Sequence, residues 1–179
     1  MLESAGAATT VVRRPAELAG LDGIVLPGGE STTIHKLAVA FDLFEPLRAA
    51  IRDGLPALGT CAGMILLADQ IEGGIDGQET LGGLDVVVRR NAFGRQVDSF
   101  EATVEFTPSW GEAMRVPATF IRAPWVEKVG DGVEVLASVA SGPHEGRVVA
   151  VRQGPVMATS FHPEWGAGDR IHRLFLDLL

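Results

Sequence analysis

The pentapeptide Gly59-Thr60-Cys61-Ala62-Gly63 constrains the fold of this 179-residue chain more than any other stretch. It follows a short β-prone run, Pro56–Gly59, and precedes Ala62–Gln70, which is apolar enough for a buried helix. A cysteine flanked at i−2 and i+2 by glycine has the spacing of a nucleophile elbow, where small neighbours let the side chain stand on a sharp strand-to-helix turn. The pattern therefore predicts an α/β protein. At the start of a helix a thiolate, the form that attacks carbonyl carbon, is stabilised, and the N–H of Ala62 points at the developing oxyanion. Taken alone, any single cysteine is more often a buried structural residue. The two glycines at a strand–helix junction favour a nucleophile, without naming its reaction.

The rest of the chain fits that architecture. Up to Gln70, β-rich runs (Thr9–Val12, Gly23–Leu26, Pro56–Gly59) alternate with helical stretches (Ser31–Ala40, Phe44–Arg52, Ala62–Gln70), as in parallel βαβ units. Ser31 is the expected cap of the first helix. Glycine dominates Ile71–Leu84, which reads as a loop. Beyond it Val86–Arg89, Ser99–Phe106, Ala118–Arg122, Val133–Val139, Arg147–Val151 and Val156–Phe161 read as strands, and Asp169–Leu179 repeats apolar residues at helical spacing. The expectation is a mostly parallel central sheet with antiparallel additions and flanking helices, in one domain spanning residues 1–179.

Composition narrows the setting. A net charge of −8 argues against a nucleic-acid surface. One cysteine cannot form an internal disulfide, which suits a reducing cytoplasm. No apolar run approaches a membrane span, and Met1–Thr10 lacks the regions of a signal peptide.

A base for Cys61 is found near the C-terminus. Phe161-His162-Pro163-Glu164 follows the β-prone Val156–Ser160, and residues two apart in extended chain project to the same side. Glu164 can then accept from one imidazole nitrogen of His162 and leave the other for the thiol proton. His35, His144 and His172 lack such a setting and read as structural. Leu26-Pro27-Gly28-Gly29-Glu30-Ser31 ends a strand and can aim an N–H at an oxyanion, beside that of Ala62. A plain strand–helix turn is the competing reading of that loop. Arg89, Arg90 and Arg95 surround a glycine, and Arg122 ends an apolar strand. An arginine there suits a substrate carboxylate, although surface ion pairing is the commoner use. No cysteine–histidine cluster suggests a metal.

Together these motifs resemble the class I glutamine amidotransferases. LPGGESTT (26–33), GTCAGM (59–64), RRNAFGRQVDSF (89–100), FIRAPW (120–125) and SFHPE (160–164) are similar to those of the glutaminase subunit of pyridoxal 5′-phosphate synthase. The resemblance implies that Cys61 is the nucleophile, His162 the acid–base and Glu164 its orienter. It implies that L-glutamine is bound by Gly29, Glu30, Ser31, Arg90, Ile121 and Arg122, with Gly28, Gly29 and Ala62 around the oxyanion. It further implies no organic cofactor or metal, and a barrel-shaped synthase partner that receives the ammonia. The rival readings are a glutaminase of another pathway and a non-catalytic docking subunit. Members of that family begin with an apolar strand, a Leu-Gln-Gly loop and a helix. This sequence lacks the strand and loop, so the expected first strand is missing and open strand edges are expected in the sheet.

Overall fold

The computed structural model describes residues 1–93, 100–166 and 168–179. In chain order the elements are β1 (Ile24–Leu26), α1 (Ser31–Ala40), α2 (Phe44–Arg52), β2 (Ala57–Thr60), α3 (Ala62–Leu67), β3 (Ala68–Glu72), β4 (Leu84–Arg89), β5 (Phe100–Phe106), β6 (Met114–Phe120), β7 (Trp125–Val129), β8 (Glu134–Ser138), β9 (Val148–Gln153), β10 (Val156–Thr159) and α4 (Arg170–Leu176). Short 3₁₀ turns occupy Glu3–Ala5 and Pro15–Leu18.

The central sheet has the order β1-β2-β10-β9-β7-β4-β3, with β8 joined to β9, while β5 and β6 pair separately. β1, β2 and β10 run parallel, with Leu26 opposite Gly59 and Gly59 opposite Ala158. Their C-terminal ends therefore share one edge, the place where open α/β sheets hold their ligands. β3 and β4 are also parallel, and the strands between them and β10 are antiparallel.

Every residue of β2 and β10 is buried, as expected of strands covered on both faces. Leu58 and Met157 point into a cluster with Phe106, Phe120, Phe161, Ile171 and Phe175. Ala57, Val156 and Ala158 point into another, with Phe44, Leu47, Ile51, Met64 and Leu67. The buried residues of α2, Phe44, Leu47 and Ile51, fall on one helical face. The apolar spacing read in the last helix likewise corresponds to buried Ile171, Leu174 and Phe175 of α4.

Several local expectations are corrected. α3 stops at Leu67, and Ala68–Glu72 is a strand paired with β4. It lies at the sheet edge with Asp69, Gln70 and Glu72 exposed, so its pattern does not look like a strand's. Trp125–Val129 is a strand that the sequence reading passed over, and the strand placed at Ala118–Arg122 runs from Met114 to Phe120. Glu30 caps α1, its carboxylate accepting from the N–H of Thr33 at 2.8 Å, while Ser31 is the first helical residue. Thr9–Val12 belongs to no strand and Val11 is 66% exposed. β propensity without a paired neighbour does not produce a strand. β1 pairs with β2 alone among the described residues. The stretch Gly94 to Ser99, part of the arginine-rich motif and the expected start of a strand, lies outside the described residues.

Candidate active site

The cysteine elbow is built by close packing. A Cβ on Gly63 would lie 2.2 Å from the carbonyl oxygen of Leu26, and one on Gly59 would lie 2.6 Å from the carbonyl carbon of Gly63. Both glycines are needed for α3 to lie against β1 and β2. Between them Cys61 takes φ 51° and ψ −102°, a left-handed conformation that costs a residue with a Cβ about 1–3 kcal/mol. The fold holds it there: the Cys61 N–H donates to the carbonyl of Thr159 at 2.8 Å, and its own carbonyl accepts from Met64 N–H at 3.1 Å. Ala62 follows as the first residue of α3, where a backbone N–H has no intrahelical acceptor.

β10 delivers the histidine to the same edge. Ser160 N–H donates to Val149 O at 2.8 Å, and His162 N–H reaches Thr119 O of β6 at 3.4 Å. Nδ1 of His162 lies 2.9 Å from Oε1 of Glu164, so the two side chains meet across Pro163 as the i, i+2 spacing predicted. Cys61 also acts on the imidazole. Its interaction first, and the bond to Glu164 second, outweigh burial and raise the His162 pKa to about 9. His162 therefore keeps its proton through neutral pH and donates Nδ1–H to Glu164. Burial pushes the Glu164 carboxyl up, but the bond and charge of His162, a backbone hydrogen bond and the charge of His172 together outweigh it and leave the group below its ordinary range.

Gly28 closes the site from the third side. A Cβ at Gly28 would stand 2.3 Å from Cε1 of His162, so the Pro-Gly-Gly loop lies directly against the imidazole and any side chain there would displace it. Trp165, absent from the sequence expectations, stacks on the His162 imidazole with ring centroids 4.8 Å apart and planes 17° from parallel. It is 53% exposed.

The residues expected to bind substrate divide into two groups. Glu30 is engaged by its own helix, with Thr32 Oγ1 and the N–H and Oγ1 of Thr33 donating to Oε2. Burial raises its carboxyl, yet these bonds bring it down to about 2. Arg90 Nη2 pairs with Glu30 at 2.8 Å and Arg90 Nη1 donates to Gln78 at 2.9 Å. Gln78 Nε2 in turn donates to Ser31 Oγ at 3.1 Å. Arg90 is thus drawn to the glycine loop, as expected, but two of its nitrogens are already occupied. Ile121 and Arg122 follow β6 between Thr119, which meets His162, and Ala123, whose carbonyl accepts from Ala92 and Phe93. Arg122 takes φ 46° and has no hydrogen bond or ion pair among the described residues. Arg89 pairs with Glu72 and Glu127, a structural use. His35 packs edge-on against Phe44, and His144 against Phe93. His172 is buried in α4.

Parallel strands that end on a strained cysteine, a carboxylate-bound histidine and a glycine loop have the architecture of the glutamine amidotransferases. A solved structure described as a glutamine amidotransferase superposes with a TM-score of 0.86 at 44% identity, covering 99% of this chain and 89% of that one. Residues 1–179 match the SNO glutamine amidotransferase family, and the chain belongs to that family. Similar proteins include the pyridoxal 5′-phosphate synthase subunit PdxT of a Nocardioides species, 62% identical over all of this chain and 88% of the relative. The subunit of the same name from Streptomyces coelicolor is 59% identical over 99% of this chain and 85% of its own length. A putative GMP synthase subunit from Thermoplasma acidophilum, 22% identical with a TM-score of 0.60 over 92% of this chain and 75% of that one, shares the fold. No helix among the described residues is long and apolar enough to cross a membrane.

Proposed function

We propose that this chain hydrolyses L-glutamine to glutamate and ammonia with a Cys61–His162–Glu164 triad. Residues 1–179 act as one glutaminase unit that feeds a synthase subunit making pyridoxal 5′-phosphate, in the cytoplasm. The observation that carries the reading is the imidazole of His162, hydrogen-bonded to Glu164 and interacting with a cysteine held in a strained elbow. The name shared by the most similar relatives supplies the pathway.

The chemistry follows from the charges. His162 takes the proton of the Cys61 thiol, and the thiolate so formed stands beside an imidazolium that Glu164 stabilises. Sγ attacks Cδ of the glutamine side chain, and the negative charge moves to the amide oxygen. The N–H of Ala62 and the Gly28–Glu30 loop receive it. His162 then gives its proton to the departing nitrogen, the C–N bond breaks, and ammonia leaves a γ-glutamyl thioester on Cys61. Water adds to the thioester carbon, its proton passes to His162, and glutamate leaves with the resting pair restored. Glu164 holds the imidazole in one orientation throughout and stabilises its charge. Arg122, with its guanidinium uncommitted among the described residues, receives the substrate's α-carboxylate, and Arg90 orders the loop through Glu30. The barrel-shaped synthase takes up the ammonia in a hetero-oligomer.

A coupled ammonia assay of the chain with a pyridoxal 5′-phosphate synthase subunit tests the reading. Glutamine-dependent release that is lost in Cys61→Ala supports it, whereas equal release by the two proteins overturns it.

A further inference from the structure

The loop between β3 and β4 carries none of the residues assigned above, yet it is fastened to two of them. From Gly73 to Thr80 only Gln78 and Thr80 are partly buried, and Ile75, the one large apolar side chain of this segment, is 50% exposed. The segment borders a hollow of about 490 Å³ lined also by Arg48, Asp69 and Ile71, and only beyond it does Leu81 anchor the loop in the core. Apolar packing therefore does little to place residues 73–80, and polar ties must do so. Two side chains supply ties to the rest of the fold. Arg48 donates to the Thr80 carbonyl through Nε at 3.1 Å and Nη2 at 2.7 Å, and pairs with Glu79 at 2.9 Å. Gln78 forms the other, and it alone reaches the site. Its Oε1 accepts from Arg90 Nη1 at 2.9 Å, while its Nε2 donates to Ser31 Oγ at 3.1 Å.

These contacts close a ring: Glu30 to Arg90, Arg90 to Gln78, Gln78 to Ser31, and Ser31 back to Glu30 through the chain. Gln78 is the only member of the ring that comes from outside the glycine loop and the end of β4. An amide suits the place because it offers an acceptor to the guanidinium and a donor to the hydroxyl at once. Arg90 Nε is buried and has no partner among the described residues, so the direction in which that N–H points depends on what holds the other two nitrogens.

We propose that Gln78 is a positioning residue for glutamine binding, which fixes the Ser31 hydroxyl and the Arg90 guanidinium in the orientation that receives the substrate. The inference rests on the reading of Ser31 and Arg90 as glutamine contacts. Gln78 touches neither Cys61 nor His162, so its effect falls on substrate affinity and not on the chemical step. Loss of binding shared by ground state and transition state raises KM and leaves kcat in place.

Steady-state kinetics of Gln78→Ala and Gln78→Met, in complex with the synthase subunit, test this. Methionine keeps the length and bulk of the side chain without its hydrogen bonds. Both variants are expected to raise KM for glutamine about tenfold with kcat within about threefold of the parent. Arg90→Ala/Gln78→Ala is expected to raise KM by less than the product of the two single-variant effects, because the amide acts in part through the guanidinium. Circular dichroism and the active fraction measured by alkylation of Cys61 with a glutamine-analogue electrophile separate misfolding from weakened binding. An unchanged KM in Gln78→Ala overturns the proposal, as does a Gln78→Met variant that behaves like the parent, or a fall in kcat alone. Failure of the parent to release ammonia from glutamine would instead overturn the glutaminase reading, and this inference with it.

Discussion

Replacing Glu164 by Gln keeps the size of the side chain and removes its charge, which isolates what the carboxylate does for His162. The His162 pKa stands at about 9 against an ordinary 6.5, and each unit corresponds to about 1.4 kcal/mol, so the site favours imidazolium by about 3 kcal/mol. The larger part comes from the interaction with Cys61 and the next from the bond to Glu164 at 2.9 Å. A neutral amide retains a weaker hydrogen bond, and removal of an opposite charge at this range lowers a pKa by about one unit or more. The leaving nitrogen needs the imidazolium proton, so kcat/KM of the parent falls as pH rises through about 9, and in Glu164→Gln it falls about one pH unit earlier. The amide can also present its NH₂ group to Nδ1, which misorients the ring. Turnover at neutral pH should drop about 10- to 100-fold, less than in His162→Ala, where the acid–base group itself is gone. Ammonia release by coupled assay across neutral and alkaline pH measures both quantities. An alkaline limb and a turnover identical to the parent's would refute the orienting role and return Glu164 to a surface carboxylate. The same pKa has a stability consequence: the contribution of protonated His162 is complete below its ordinary pKa of 6.5 and is lost as pH rises through about 9.

Gly28→Ala should cost at least about 100-fold in turnover while the fold is retained, since the added methyl group displaces the imidazole and small misplacements carry large rate costs; circular dichroism and the ammonia assay check it, and parent-like turnover would show that the loop yields. Arg122→Ala should raise KM for glutamine more than it lowers kcat, and an unchanged KM would assign Arg122 to backbone geometry alone. Glu30→Ala removes the cap of α1 and its tie to Arg90, which should cost about 1 kcal/mol and lower Tm by about 3 °C at neutral pH. Its carboxyl is depressed to about 2 from 4.5, so this contribution is present above 4.5 and fades as pH falls toward 2. Thermal melts at neutral and acid pH measure it, and a difference from the parent that stays constant with pH would contradict it.

The parts of the site legible in the sequence were those imposed by backbone sterics. Gly59 and Gly63 flank Cys61 because a Cβ at either position would strike the main chain or a carbonyl across the elbow, and such a demand leaves a fixed spacing in the sequence. The pairing of His162 and Glu164 was readable for a similar reason, since two residues in extended chain face the same way. Side-chain networks formed across long separations left no comparable trace. Gln78 meets Ser31 across 47 positions and sits in a glycine-rich loop that read as mere connection. Trp165 follows the recognised Phe161–Glu164 motif by one residue, and only the stacking on His162 gives it a role. Edge strand β3 was hidden because exposed charges break its apolar pattern, and the β character of Thr9–Val12 had no partner strand to realise it. Arg90, expected to bind substrate, reaches the glycine loop, where Glu30 and Gln78 hold two of its nitrogens, partners that its sequence setting did not indicate.

The most direct test of the account is to catch the covalent intermediate. Mass spectrometry of the chain, mixed with glutamine and quenched in acid during turnover, should find a γ-glutamyl adduct on the peptide that contains Cys61. The adduct should be absent from Cys61→Ala. Ammonia release by the parent with Cys61 unmodified at every quench time, or an adduct mapped to another residue, would contradict nucleophilic catalysis by Cys61.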